Sequence, residues 1–305
     1  METPRISGAG ICCLDYIVIA PQPEWGGRAH VSGFHVQGGG LVATAIVACA
    51  RLGAPCDLYS LLGDDHVGDQ ILDEVRQEGV STDGVLRVPG GESPFSFIHV
   101  DEGSGERTIF HRPGLGLDRP WEFQLAPVAQ SGALLIDHCY PHLAVAASKI
   151  AREHGVPVVA DMELTPRDAE LARYVDALIA PQDFARQSGF EADPAAALDL
   201  IHEHGPSIAV ITLGAAGWVY SGPDGRGRGD GFRVDVVDTT GAGDVFHGAF
   251  AYALARGWGT GRCCEFAGAV AAMKCTKPGG RTGLPSLEQT IAFLRDRGRD
   301  WLPLP

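Results

Sequence analysis

The chain has 305 residues, 45% of them hydrophobic, and a formal net charge of −14. That size and balance suit one large α/β domain or two small ones, and the acidity argues against a nucleic-acid partner held through its phosphates. No apolar run reaches the ~20 residues that span a bilayer, and Met1-Glu2-Thr3-Pro4-Arg5 lacks a signal-peptide pattern, so the expectation is a cytoplasmic protein without a membrane partner.

Residues 6–14 form an apolar, glycine-containing run expected as a buried first strand. Residues 43–52 read as a helix stopped at Gly53, 56–62 as a strand, and 67–78 as a helix ended at Gly79. Further strands are expected at 133–136, 156–160, 177–180 and 208–213, with helices near 143–154 and 166–174. This alternation predicts a mostly parallel sheet covered by helices on both faces. Segments 218–220 and 232–237 read as a hairpin or meander around Gly222-Pro223-Asp224-Gly225, with 225–231 as a mobile turn. Helices near 244–256, 262–274 and 286–297 follow. Eight scattered cysteines, several in apolar runs (Cys12, Cys13, Cys49, Cys275), and no C-x-x-C pair suit reduced thiols better than disulfides or zinc.

Two stretches break the rhythm, about 16–36 and 85–111. Their short alternating segments predict a small antiparallel sheet, a lid over the carboxyl ends of the main strands, where α/β folds bind ligands. The plainer alternative is an edge hairpin without a role.

The stretch Asp238-Thr239-Thr240-Gly241-Ala242-Gly243-Asp244 carries the most chemistry. It places small residues just before an apolar-periodic helix, with an acid in that helix's first turn. Amides at a helix start lack intrahelical partners and point at any anion placed there. Gly241, Ala242 and Gly243 would let a phosphate approach the backbone. Asp244 beside a phosphate would then take the proton of an attacking hydroxyl; the alternative is a capping aspartate after a glycine turn. Gln37-Gly38-Gly39-Gly40-Leu41-Val42-Ala43-Thr44 is a second glycine-rich entry to a helix, with Thr44 offering a hydroxyl. Asp15 stands where it could accept hydrogen bonds from two hydroxyls of a sugar. No G-x-x-x-x-G-K-[ST] occurs, and Gly8-Ala9-Gly10-Ile11-Cys12-Cys13 lacks the third glycine of a dinucleotide fingerprint.

Together these segments resemble the PfkB, or ribokinase-like, carbohydrate kinases. Gly39-Gly40 with Ala50-Arg51-Leu52-Gly53, then Gly63-Asp64-Asp65 and Gly68, look like the family's N-terminal signature, and the 238–244 stretch is similar to its C-terminal one. The resemblance runs from about residue 6 to 294. It implies one domain over 1–305: a ribokinase-like three-layer α/β/α fold with a mostly parallel central sheet and a small β-sheet lid. It further implies ATP as donor, Mg²⁺, and a sugar-like acceptor. Asp244 falls on the catalytic base, Gly241, Ala242 and Gly243 on the anion hole, and Asp15, Gly39, Gly40 and Thr44 on the acceptor site. Thr212, Gly214 and Gly217, with Lys274 and Gly280, fall on the nucleotide site. Asp238 and Thr240 fall where related kinases ligate a monovalent cation such as K⁺. A homodimer through the lid is the assembly the family allows.

The chain departs from the pattern at Thr44, where many members have Asn, and at Gln182 and Ala185, which replace the Asn and Glu of an Asn-x-x-Glu motif. Magnesium would then be held through water and phosphates, with Asp183 as a stand-in. Segments 234–249 and 274–281, with Gly38-Gly39-Gly40, look like the branch containing sulfofructose kinases. Arg28, His111 and Cys139 fall on that branch's sulfonate site, but only Arg28 keeps the expected charge. A neutral or phosphorylated ketose, or another polyol, stands as an equal expectation. A nucleoside kinase on the same fold and a catalytically silent sugar-binding regulator are the alternatives.

Overall fold

The computed structural model describes residues 3–117, 119–165 and 168–301. The chain begins β1 (Ile6–Ala9), β2 (Cys13–Ala20), β3 (Gly33–Gly39), α1 (Leu41–Arg51), β4 (Cys56–Gly63), α2 (His66–Gln77), β5 (Val80–Val88), β6 (Phe95–Asp101) and β7 (Arg107–Arg112). It continues β8 (Ala133–Asp137), α3 (Pro141–Glu153), β9 (Val158–Asp161), α4 (Ala169–Ala172), β10 (Ala177–Pro181), α5 (Gln182–Gln187) and α6 (Ala197–Glu203). It closes with β11 (Ile208–Thr212), β12 (Trp218–Gly222), β13 (Gly225–Gly229), α7 (Ala242–Ala255), α8 (Thr260–Lys274) and α9 (Leu287–Arg295).

Nine strands form one sheet in the order β13-β12-β11-β10-β9-β8-β1-β4-β5, parallel except for β12 and β13. Its strands alternate between two cores. On β11, Ile208 and Val210 enter one core while Ala209 and Ile211 enter the other. Successive side chains of a strand point to opposite faces, so an apolar run buried on both sides requires helices on both sides. Residues of α1, α7 and α8 fill one core, those of α3 and α6 the other, giving three layers. Helices α1 and α7 are buried around most of their circumference, the composition expected of helices packed between other elements. Truncating the wholly buried Phe250 of α7 to alanine would cost about 3–5 kcal/mol.

Four strands form a second sheet, β3-β2-β6-β7. The run 6–14, expected as one strand, is divided between the two sheets at Gly10. The Gly10 amide still donates to Tyr59 of the main sheet, at 3.1 Å. A Cβ on Gly10 would lie 2.2 Å from Asp137 Oδ2, so the division needs glycine. The second sheet is mixed rather than purely antiparallel, because β2 pairs β6 in parallel. Residues 80–88 belong to the main sheet as an edge strand beside β4, so the second excursion begins after Val88 rather than at 85.

The hairpin expected from 218–220 and 232–237 is made differently. The partner of β12 is β13, in the glycine run read as a mobile turn, and 232–237 forms no strand. Glycines weaken strands in general, yet here the aromatic neighbours demand them. A Cβ on Gly229 would lie 2.3 Å from the Trp218 ring, and one on Gly227 would lie 2.5 Å from the Tyr220 hydroxyl.

Candidate active site

Helix α7 starts at a left-handed Gly241, φ 72°, with no side-chain cap. The Ala242 amide donates to Thr239 O at 3.1 Å, and Val245 N–H closes the first turn onto Gly241 O at 2.9 Å. Among the described residues, the amides of Gly241, Gly243 and Asp244 have no protein acceptor. One of the three expected anion-hole amides is therefore already engaged, while the Asp244 amide joins the open ones. Open amides at a helix start form an anion site. Apart from its chain neighbours and the backbone of its own helix, no atom lies within 4 Å of where a Gly243 side chain would begin.

Three segments converge on this turn. A Cβ on Gly241 would stand 3.3 Å from Gly280 Cα and 3.4 Å from Thr44 Cγ2. Gly40, φ 95°, begins α1 so close to the chain after β1 that a Cβ would meet Ile11 O at 2.6 Å. The di-glycine entry, the 238–244 loop and the 279–281 loop thus share one wall.

Asp244 is half-buried in the first turn of α7. Desolvation, then Asp161, Asp15 and Asp137, hold its carboxyl well above the usual range, and Arg281 opposes them. Asp137 and Asp161 end the paired strands β8 and β9. Burial pushes the Asp137 carboxyl up to about 6, against the amides of Ile11 and Cys139 that donate to it at 2.7 and 2.9 Å. Burial also raises Asp15, with Ser96, Cys13, Arg281 and His111 working the other way. The centre is a group of carboxylates whose burial, reinforced by mutual repulsion at Asp244 and Asp137, raises their proton affinity.

The second sheet presents Asp15 to this centre. Gln37, Asp15, Ser96 and His111 are register partners across β3, β2, β6 and β7, and Ser96 Oγ lies 3.4 Å from His111 Nδ1. His111 itself is exposed. Thr44 is buried, and Arg281 donates to it from Nε at 3.4 Å and to Gly39 O from Nη2 at 3.0 Å. Arg28 lies in the exposed connection between β2 and β3, and no hydrogen bond or ion pair joins it to the cluster among the described residues. Cys139 follows β8 beside Asp137.

Residues 8–287 match the family described as pfkB family carbohydrate kinase. The chain belongs to the pfkB family of carbohydrate kinases. It is 32% identical over 277 residues to the ribokinase of Haemophilus influenzae, spanning 86% of this chain and 88% of that protein. A candidate ribokinase from Agrobacterium tumefaciens superposes with a TM-score of 0.90 at 28% identity, covering 97% of this chain and 99% of that one. The fold also matches an Arabidopsis thaliana ribokinase solved with ribose and ATP, TM-score 0.85 at 24% identity, covering 97% and 99%. The fold is accordingly the ribokinase-like α/β fold.

In this carbohydrate kinase the segments expected to meet a nucleotide flank the same edge. Thr212 ends β11, with its hydroxyl donating to Ala180 O at 3.4 Å. Gly214 (φ 57°) opens the following turn and Gly217 (φ 96°) ends it. A side chain on Gly217 would meet Gly229 O at 2.0 Å, so that glycine is required by packing. A cavity of about 710 Å³ lies between Ile17, Ile19 and Gln37 of the second sheet and Asp238, Thr239 and Gly279. Lys274 has no exposed surface and donates to Asp238 O at 3.0 Å, so it cannot touch a nucleotide base where it stands.

The residues present do not fit a monovalent cation. The two carboxylate oxygens of Asp238 accept the Thr240 and Gly279 amides, each at 2.7 Å, and its carbonyl takes the Lys274 ammonium. For magnesium, no group of three His, Cys, Asp or Glu poised for a metal occurs among the described residues. Ala185 is buried, and Asp183, the stand-in, is exposed and paired with Arg186. Nothing in that set builds a protein-only magnesium site, so the ion would come with the nucleotide's phosphates.

Sequence reasoning missed five residues here. Arg281, Asp137 and Asp161 have been described. His247, one turn after Gly243, directs Nδ1 at Gly243 O (2.8 Å) and Nε2 at Ile179 O (3.0 Å), with Asp161 Oδ2 at 3.5 Å from Nδ1. Arg107, on β7, reaches across to the Thr239 and Thr240 hydroxyls, both at 3.2 Å.

Proposed function

We propose that this carbohydrate kinase moves the γ-phosphoryl group of ATP to a hydroxyl of a sugar or sugar derivative, with Asp244 as general base. The observation that carries the reading is Asp244 itself: a carboxylate of raised proton affinity, beside open amides and facing Asp15. The acceptor is held at Asp15, Gly39, Gly40 and Thr44, and its hydroxyl gives a proton to Asp244 as the oxygen bonds to phosphorus and ADP leaves. The Gly241, Gly243 and Asp244 amides stabilise the charge on the transferring group. Mg²⁺ arriving with ATP would neutralise its phosphates.

The second sheet acts as the lid, reaching about 13–39 and 95–112 within a single domain. Arg107 ties it to the anion loop. Its other face exposes Phe34, Val36, Phe97 and Phe110, an apolar surface that a second copy of the chain would cover. Localisation in the cytoplasm accords with eight cysteines of which none forms a disulfide.

For the acceptor, a ketose or comparable polyol is the reading favoured, with a sulfofructose-like sugar as the narrower form resting on the 234–249 and 274–281 segments. Isolation of Arg28 from the cluster weighs against the sulfonate. An ADP-release screen over ketoses, aldoses, sulfosugars, sugar acids and nucleosides tests all of this. Turnover confined to nucleosides would replace the sugar reading, and tight sugar binding without ATP consumption would mean a silent regulator.

A further inference from the structure

Three donors converge on Asp238. Its carbonyl accepts the Lys274 ammonium at 3.0 Å, Oδ1 accepts the Thr240 amide, and Oδ2 accepts the Gly279 amide. The Val237 and Asp238 amides in turn donate to Cys275 O at 2.8 and 3.2 Å. These bonds tie the loop leading into Gly241 to the loop that follows α8. Lys274 is completely buried, and no carboxylate forms an ion pair with it among the described residues. A buried ammonium with one carbonyl partner and no direct ion pair is costly. It persists where a fixed positive charge is needed.

A monovalent cation between these loops would compete with the ammonium for the Asp238 carbonyl and would meet its positive charge at close range. We infer that the Lys274 ammonium is a built-in replacement for that cation, so that this kinase works without potassium. The lysine holds the 238–240 loop in place and sets a non-dissociating positive charge behind the Gly241 turn, which a bound ion in exchange with solvent would do only at sufficient concentration. Burial draws the Lys274 ammonium below its ordinary range, and Asp238, Cys275 and Asp244 oppose this. The inference rests on the kinase reading above, because it concerns the charge behind the phosphate site.

The test uses the full chain in tetramethylammonium chloride and in potassium chloride of equal ionic strength. Two quantities are read: the melting temperature, which needs no acceptor, and turnover with an acceptor found in the screen. Wild type should give the same values in both salts. Lys274→Met should lose roughly 10²–10³-fold in kcat, the range for removing one preorganised electrostatic donor, and should regain rate and melting temperature as K⁺ or Rb⁺ is added. Lys274→Arg, which keeps the charge, should stay indifferent to potassium. Potassium that activates wild type or raises its melting temperature overturns the inference, as does a folded Lys274→Met with full kcat. Should Lys274→Met not fold, the wild-type arms decide alone. Failure of the kinase reading looks different: no ADP with any acceptor in either salt.

Discussion

The carboxylate of Asp15 occupies the space that a side chain on Gly39 would need: a Cβ there would stand 2.2 Å from Asp15 Oδ2. Gly39 pairs with Cys13, two residues before Asp15, on the neighbouring strand. Gly39→Ala should therefore displace Asp15 rather than unfold the sheet, and an error of 1 Å in such a contact can cost about 10²-fold. We expect kcat/KM for the acceptor to fall by that order while KM for ATP holds. Steady-state kinetics with each substrate varied in turn decides it; an unaltered acceptor KM would remove Asp15 from the acceptor site.

Gly243 behaves in the opposite way. Its φ is not positive and its missing side chain faces open space, so alanine fits the helix and should add about 0.5–1 kcal/mol of stability. The methyl group would stand where a phosphate must approach the amides. The expected outcome is a variant that melts higher and turns over more slowly. A Gly243→Ala enzyme with raised melting temperature and unchanged kcat would place the phosphate elsewhere.

Why some of this site is legible and some is not follows from where each constraint originates. Gly241 to Asp244 are readable because a helix start exposes amides wherever it occurs, and glycines before an acid mark one. The acids ending β8 and β9 are readable in principle: Asp137 follows Ala133-Leu134-Leu135-Ile136, and an acid ending a buried parallel strand faces the ligand edge. Arg281 is not readable, since an arginine after two glycines ordinarily reads as solvated. Only closure of the 279–281 loop onto Gly39 and Thr44 buries it. In the fold, the βα alternation predicts the parallel sheet. The break at Gly10 is hidden because the apolar run continues across it. Strand β13 is hidden because its glycines are dictated by Trp218 and Tyr220, residues on another strand.

Arg281 offers a sharper test of the acceptor wall. Its guanidinium opposes the raised proton affinity of both Asp15 and Asp244, and His111 also opposes that of Asp15. Hydrogen bonds to a charged group contribute about 1.5–3 kcal/mol, so Arg281→Met should lower acceptor kcat/KM by roughly 10–100-fold. Lysine cannot reproduce both contacts, so Arg281→Lys should recover little of the loss. If both variants keep wild-type acceptor kinetics, the guanidinium serves packing alone.

The raised proton affinity of Asp244 fixes two pH dependences of opposite benefit. As a base it must be ionised, so kcat/KM should climb with pH through a value well above the ordinary aspartate range. A rate already level at about pH 5, where an unperturbed aspartate of pKa ~3.9 is ionised, would contradict the assignment. For stability the sign reverses. A carboxyl whose folded pKa exceeds its unfolded one costs nothing below the unfolded value and destabilises progressively as pH rises through the folded value. Asp137 shares that direction, whereas Asp238, held low by the Thr240 and Gly279 amides, contributes stability that is lost as pH falls. The difference between Asp244→Asn and wild type isolates the one residue. Asp244→Asn should melt higher than wild type at neutral and alkaline pH, with the gap closing toward pH ~4. It should also lose about 10²–10⁴-fold in kcat, the usual value of general-base help. Such a trade of activity for stability is expected where an active site retains a buried charge for chemistry rather than for folding. A melting-temperature gap that widens with acid would show that the carboxylate is stabilising as the ion, and Asp244 would then be a helix cap.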